Sequence, residues 1–115
     1  MQYLLLIYGN EAGFKTASKE DTERMYAAYG AYTQAMQAAG VMVAADRLQP
    51  STAASTVRVR NDKTEVLDGP YAETKEQLGG YYLIEVPDLD AALTWAARCP
   101  GASHGAMEVR PVWSM

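Results

Sequence analysis

Six consecutive apolar residues, Tyr3 to Tyr8, open the hydrophobic pattern of this chain. A half-buried strand alternates apolar with polar side chains, so a strand apolar at every position is expected to be covered on both faces. Gly9 to Lys15 reads as a loop. Ser18 then caps a helix, with Asp21 three residues on, in a weaker form of the capping box. Met25, Ala28, Tyr29, Tyr32, Met36 and Ala39 recur at three- and four-residue spacing and predict one buried stripe, and Gly40 suits the position just past the helix end. Val41 to Ala45 reads as a second strand, and Gln49 to Ala54 as a loop. From Thr56 to Arg60 the chain alternates, which predicts Val57 and Val59 inward and Arg58 and Arg60 outward. Asn61-Asp62-Lys63 marks a turn, and Thr64 to Leu67 returns as the second arm of a hairpin. Tyr81 to Val86 is another strand. Asp88 caps a second helix with an apolar stripe of Leu89, Ala92, Leu93 and Ala96, ended by Pro100-Gly101, and Met107 to Trp113 is the last strand.

The two ends of the chain match. Strand-helix-strand at 3–45 is repeated at 81–113, with a hairpin between, which is the order of a split βαβ, ferredoxin-like α+β fold: an antiparallel sheet with two helices on one face. The whole chain, 1–115, forms one domain. Strand alternation places Glu85 with Tyr81 and Leu83, and Glu108 with Arg110 and Val112, on the face without helices. With half of the first strand also open to water there, that face predicts an interface. The economical solution is a homodimer packed sheet to sheet around a cavity.

Composition removes several classes of partner. A net charge of −4 with no basic cluster argues against nucleic acid, whose affinity rests on neutralising phosphates. No stretch approaches the ~20 apolar residues that span a bilayer, and Met1 to Tyr8 lacks the basic start of a signal peptide. A single cysteine excludes an internal disulfide framework and fits a reducing cytoplasm. One histidine and one cysteine, far apart, do not supply a zinc site. No metal and no cofactor is expected.

Candidate chemistry concentrates between Val66 and Tyr82, a turn-rich segment dense in charge, glycine and tyrosine. Asp68 is either a general acid or base at a cavity mouth or the acceptor for the backbone of the turn it opens. Glu73 is a second proton-transfer candidate. Lys75 and Glu76 read as solvated charges on a short helical turn ended by Gly79 and Gly80. Arg110, on a strand facing the expected cavity, either pairs with Glu85 or Glu108 or clamps a ligand carboxylate by bidentate bonds. Eight tyrosines against one phenylalanine mean many hydroxyls in need of partners. Tyr8, Tyr29 and Tyr71 are the candidates for holding a planar ligand. His104 reads as a surface residue and Cys99 as a small buried hydrophobe.

The blocks Tyr3-Leu4-Leu5-Leu6-Ile7-Tyr8-Gly9, Leu48-Gln49-Pro50, Thr56-Val57-Arg58-Val59, Asp68-Gly69-Pro70-Tyr71-Ala72-Glu73-Thr74-Lys75-Glu76, Gly79-Gly80-Tyr81-Tyr82-Leu83-Ile84 and Glu108-Val109-Arg110-Pro111-Val112, in this order, resemble the YCII-related family. The likeness is to its DGPF branch, with Tyr71 where that branch has phenylalanine. The resemblance implies a dimeric α+β barrel of two ferredoxin-like protomers, and a genomic context beside extracytoplasmic-function sigma factors. A more distant branch carries a His–Asp pair proposed to be catalytic, and some relatives dehydrochlorinate aromatic rings. That histidine aligns near Tyr29, and the first helix here has none, so the mechanism does not transfer. The expectation is a homodimer binding a small aromatic or carboxylated molecule, acting as a cofactor-independent lyase or isomerase through Asp68 or Glu73. The alternative is a non-catalytic sensing or interaction module linked to sigma-factor regulation.

Overall fold

A computed structural model describes residues 1–114. Strand β1 (Gln2–Gly9) is followed by a short helix α1 (Glu11–Thr16), a long helix α2 (Lys19–Ala38) and strand β2 (Met42–Arg47). A 3-10 turn at Ser51–Ala53 leads into β3 (Ser55–Arg60) and β4 (Lys63–Asp68). Strand β5 (Gln77–Glu85), helix α3 (Leu89–Arg98), a 3-10 turn at Pro100–Ser103 and β6 (Ala106–Pro111) complete the chain. The main sheet has the order β2-β5-β1-β6, every neighbour antiparallel. With α2 and α3 on one side, this is the ferredoxin-like α+β arrangement. Strands β3 and β4 form a separate two-stranded ribbon.

The core lies between the sheet and the helices. Tyr3 and Leu5 of β1 and Tyr82 and Ile84 of β5 meet Tyr32 and Met36 of α2 and Ala92 and Ala96 of α3. Leu5, Met36 and Ile84 are fully buried. The helix starts are as the sequence predicts, because caps are local: Ser18 Oγ accepts the Asp21 amide at 3.1 Å, and Asp88 Oδ1 accepts that of Ala91 at 2.9 Å.

Five expectations need correction. Gly9 to Lys15 is not all loop: Asn10 Oδ1 accepts the Ala12 amide at 2.9 Å and starts α1, a turn and a half of helix despite its internal Gly13. The α2 stripe holds at Tyr29, Tyr32 and Met36, whereas Ala28 and Ala39 are exposed. On α3 the buried face is Ala92, Ala96 and the following Cys99, while Leu89 and Leu93 are each 47% exposed. Small side chains let the helix approach the sheet closely; Leu93 falls one position off that line, and Leu89 is the first residue of the helix. Gly79 and Gly80 end no helical turn, for they lie inside β5, where pairing shifts from Ile7↔Gly80 to Tyr8↔Leu78 and leaves Gly79 as a bulge. Finally, Val57 and Val59 do not point inward. They are 60% and 65% exposed, because their ribbon stands clear of the main sheet.

The other face of the sheet carries no helix. Alternation sends Leu4, Leu6 and Tyr8 of β1 away from the core, beside Leu83 and Tyr81 of β5 and Arg110 and Glu108 of β6. The molecule is accordingly flat, 48 × 44 × 18 Å, with a radius of gyration of 16.1 Å. A compact chain of this length has a radius near ~13 Å.

Candidate functional site

The segment after β4 is built around Gly69. Its φ of +103° lies where L side chains are strained, and its amide donates to the Ala54 carbonyl at 2.6 Å while its own carbonyl accepts from Thr56 Oγ1 at 2.9 Å. These bonds hold the root of the ribbon and aim the chain into Pro70. Open space surrounds the glycine, so a side chain there meets backbone strain and no clash. Gly69→Val is therefore expected to cost about 1–3 kcal/mol, read as a lowered urea midpoint. A midpoint equal to the parent's would show that the turn accommodates a β-branched residue.

The turn borders a cleft of about 510 Å³, lined by Ser51, Thr52, Asp68, Gly69, Pro70 and Glu73, with Ala72, Thr74 and Gln77 completing it. Three side chains that the sequence reading did not single out organise it. The Glu11 carboxylate accepts both the amide and the hydroxyl of Ser51, each at 2.7 Å, tying α1 to the 3-10 turn. Gln77 accepts the Glu11 amide at 3.1 Å and donates to the Thr74 carbonyl at 2.5 Å. The loop reading of Gly9 to Lys15 passed over the signal that could have found them, an Asn N-cap followed by an acidic first-turn residue at Asn10-Glu11.

Asp68 and Glu73 both line this cleft. Among the described residues, neither carboxylate forms an ion pair or caps a turn, so the backbone-accepting role considered for Asp68 is not the one it plays here. Both are exposed to solvent in the single chain. Two free carboxylates beside hydroxyls can accept hydrogen bonds from a polar or cationic ligand.

The ligand-binding candidates fall in three places. Arg110 and Tyr8 share the open sheet face. Arg110 Nη2 lies 2.5 Å from Glu108 Oε2, the partner considered for it, yet that oxygen is occluded without an aligned hydrogen-bond donor. On the same face Tyr81 donates to Asp46 at 2.6 Å, and that bond to a carboxylate pushes its phenol above the usual range. Tyr29 sits on the opposite, helix-covered side beside Cys99, where burial raises its phenol strongly. Tyr71 is 75% exposed on the loop, with the Arg58 guanidinium 4.8 Å from its ring centre. Within one chain Asp68 and Arg110 do not meet. Arg110 pairs with Leu4, whereas the cleft adjoins the Gly9–Gln77 end of the sheet, five residues or roughly 17 Å further along β1. His104 is exposed and Cys99 buried, as expected. No group of side chains suited to a metal ion occurs among the described residues.

With this fold and signature turn, the comparison with known proteins is direct. Residues 1–115 match the YCII-related domain, and the chain belongs to that family. It is 43% identical over 114 residues to a protein of Rhizobium meliloti (strain 1021) described only as uncharacterized, an alignment covering 97% of this chain and 92% of the relative. No helix among the described residues is long and apolar enough to cross a membrane.

Proposed function

We propose that this chain works as a cytoplasmic homodimer whose open sheet faces pack against each other around a chamber for a small aromatic or carboxylated molecule. The observation that carries the reading is the uncovered face of the main sheet. Leu4, Leu6, Tyr8, Tyr81 and Leu83 form an apolar floor with no layer above it, in a molecule only 18 Å thick. An apolar floor next to a cation suits a planar ring bearing a carboxylate, with Tyr8 against the ring and Arg110 toward the charge. The reading leaves Asp68 and Glu73 at the chamber mouth, where they would serve a cofactor-independent lyase or isomerase.

The test has two arms. Light scattering coupled to size exclusion is expected to give twice the chain mass at micromolar concentration; a single-chain mass overturns the reading. Benzoate, as an aromatic carboxylate probe, is expected to raise the melting temperature of the parent and not that of Arg110→Met. Arg110 is 68% exposed in its ion pair, so the substitution itself is expected to cost under ~1 kcal/mol. Equal benzoate shifts in both proteins would remove Arg110 from the site.

A further inference from the structure

The β3–β4 ribbon has an apolar side that nothing among the described residues covers. Alternation from the pairs Val57↔Val66, Val59↔Thr64 and Ser55↔Asp68 puts the three valines on one face, with Asp68 at its root. Thr56, Arg58, Arg60, Lys63, Glu65 and Leu67 occupy the other. Val57, Val59 and Val66 are 60%, 65% and 62% exposed. The ribbon's turn is locally encoded, since Asn61 and Asp62 take φ of 51° and 63°, the pattern that matches strand twist in a two-residue hairpin. A two-stranded hairpin alone is nevertheless marginal in water. A row of β-branched side chains on such a ribbon is a surface made to be covered.

We infer that the valine face of this ribbon docks on a second copy of the chain and extends the sheet-to-sheet interface. The inference rests on the dimer proposed above. Area is its first support. Four strands about 4.8 Å apart and six to nine residues long give the open sheet face a footprint of roughly 460 Å², little more than half of the ~800 Å² per partner that stable interfaces bury. The ribbon adds a further ~200 Å² in two six-residue strands. Charge is the second support. Each chain carries −4, so contact through uncharged surface spares two copies the close approach of like charges. Between Ser55 and Thr64 the valine face bears no charge. Its one charged residue, Asp68, stands at the root and borders the cleft, so docking turns the signature loop toward the partner. The candidate site is then completed by the second chain, which accounts for the separation of Asp68 from Arg110 within one.

Sedimentation equilibrium of Val57→Thr/Val59→Thr/Val66→Thr tests this, because threonine keeps the β-branched shape of the ribbon and removes its apolar face. The dimer is expected to weaken at least tenfold. The charge-neutral control on the opposite face, Arg58→Thr/Glu65→Thr, is expected to change affinity less than twofold. In the unaltered protein, exchange of the ribbon amides is expected to slow as concentration rises through the dimer range. A triple variant that dimerises like the parent, or ribbon exchange independent of concentration, overturns the docking while leaving the sheet-to-sheet dimer intact. A monomeric parent overturns both.

Discussion

Gly105→Ala is expected to destabilise this protein by about 3 kcal/mol or more, although the glycine lies in an ordinary-looking turn before β6. A Cβ there would fall within the contact radius of the Tyr8 carbonyl oxygen and only 3.1 Å from Gly9 Cα. Both obstacles are backbone, so no side-chain rotation relieves them. Tyr8 pairs with Ala106, the next residue, and the Gly105 amide donates to the Gly101 carbonyl at 2.9 Å. The added methyl must therefore open the β1–β6 pairing or break the 3-10 turn. For a domain of this size the loss amounts to a drop of roughly 10 °C or more in melting temperature. A drop of only a degree or two would mean that the β6 entry shifts freely. Because Ala106 and Met107 enter β6 opposite Tyr8 and Ile7, the variant is also expected to loosen the end of the open face nearest the cleft.

The contrast between Gly105 and Gly69 illustrates what a sequence can disclose. Asp68-Gly69-Pro70 announces a turn because its chemistry is local: glycine supplies the φ and proline stops the strand. The need at Gly105 arises from a strand about a hundred residues away, and no local pattern encodes it. The caps at Ser18 and Asp88 and the Tyr29, Tyr32 and Met36 part of the α2 stripe were legible for the same local reason. The valines of β3 were legible as one-sided, since alternation gives sidedness. It does not say what covers the side, and among the described residues nothing does. Helix α1 was hidden because Gly13 lowers its propensity, and its support comes from Asn10 and from the distant Ser51 and Gln77. The candidate site divides in the same way. Asp68 and Glu73 share one cleft because they belong to one segment, whereas their relation to Arg110 depends on strand register and on whatever faces the open sheet.

Stability is expected to collapse above pH ~10, and the cause is a cluster of tyrosines beneath the helices. The Tyr32 hydroxyl donates to the Trp95 carbonyl at 2.7 Å, and the Tyr82 hydroxyl shares a 2.8 Å bond with Thr33 Oγ1. The two rings meet edge to face at 5.2 Å, and Tyr29 and Cys99 lie alongside. Burial raises the phenols of Tyr29, Tyr32 and Tyr82 and the thiol of Cys99, because the ionised forms lose water there. In the unfolded chain the thiol titrates near ~8.5 and the phenols near ~10. Above those values the unfolded state holds fewer protons than the folded one, so stability falls as pH rises. Below about pH 8 both states hold these protons and the effect vanishes. Each phenol that stays protonated contributes at most ~1.4 kcal/mol of loss per pH unit above ~10, and half-buried Tyr29 contributes less. Tyr32 is expected to remove about 1 kcal/mol by pH 11, and Tyr82 acts in the same direction. Urea midpoints measured from pH 7 to 11.5 should therefore stay level to about pH 8, decline slowly as the unfolded-state thiol ionises, and drop steeply above about pH 10. Tyr32→Phe separates this from general alkaline damage: it gives up about 1 kcal/mol at neutral pH with the lost bond to Trp95, yet its midpoint should fall more gently above pH 10. A parent whose midpoint is unchanged at pH 11 would mean that these phenols ionise freely in the folded chain.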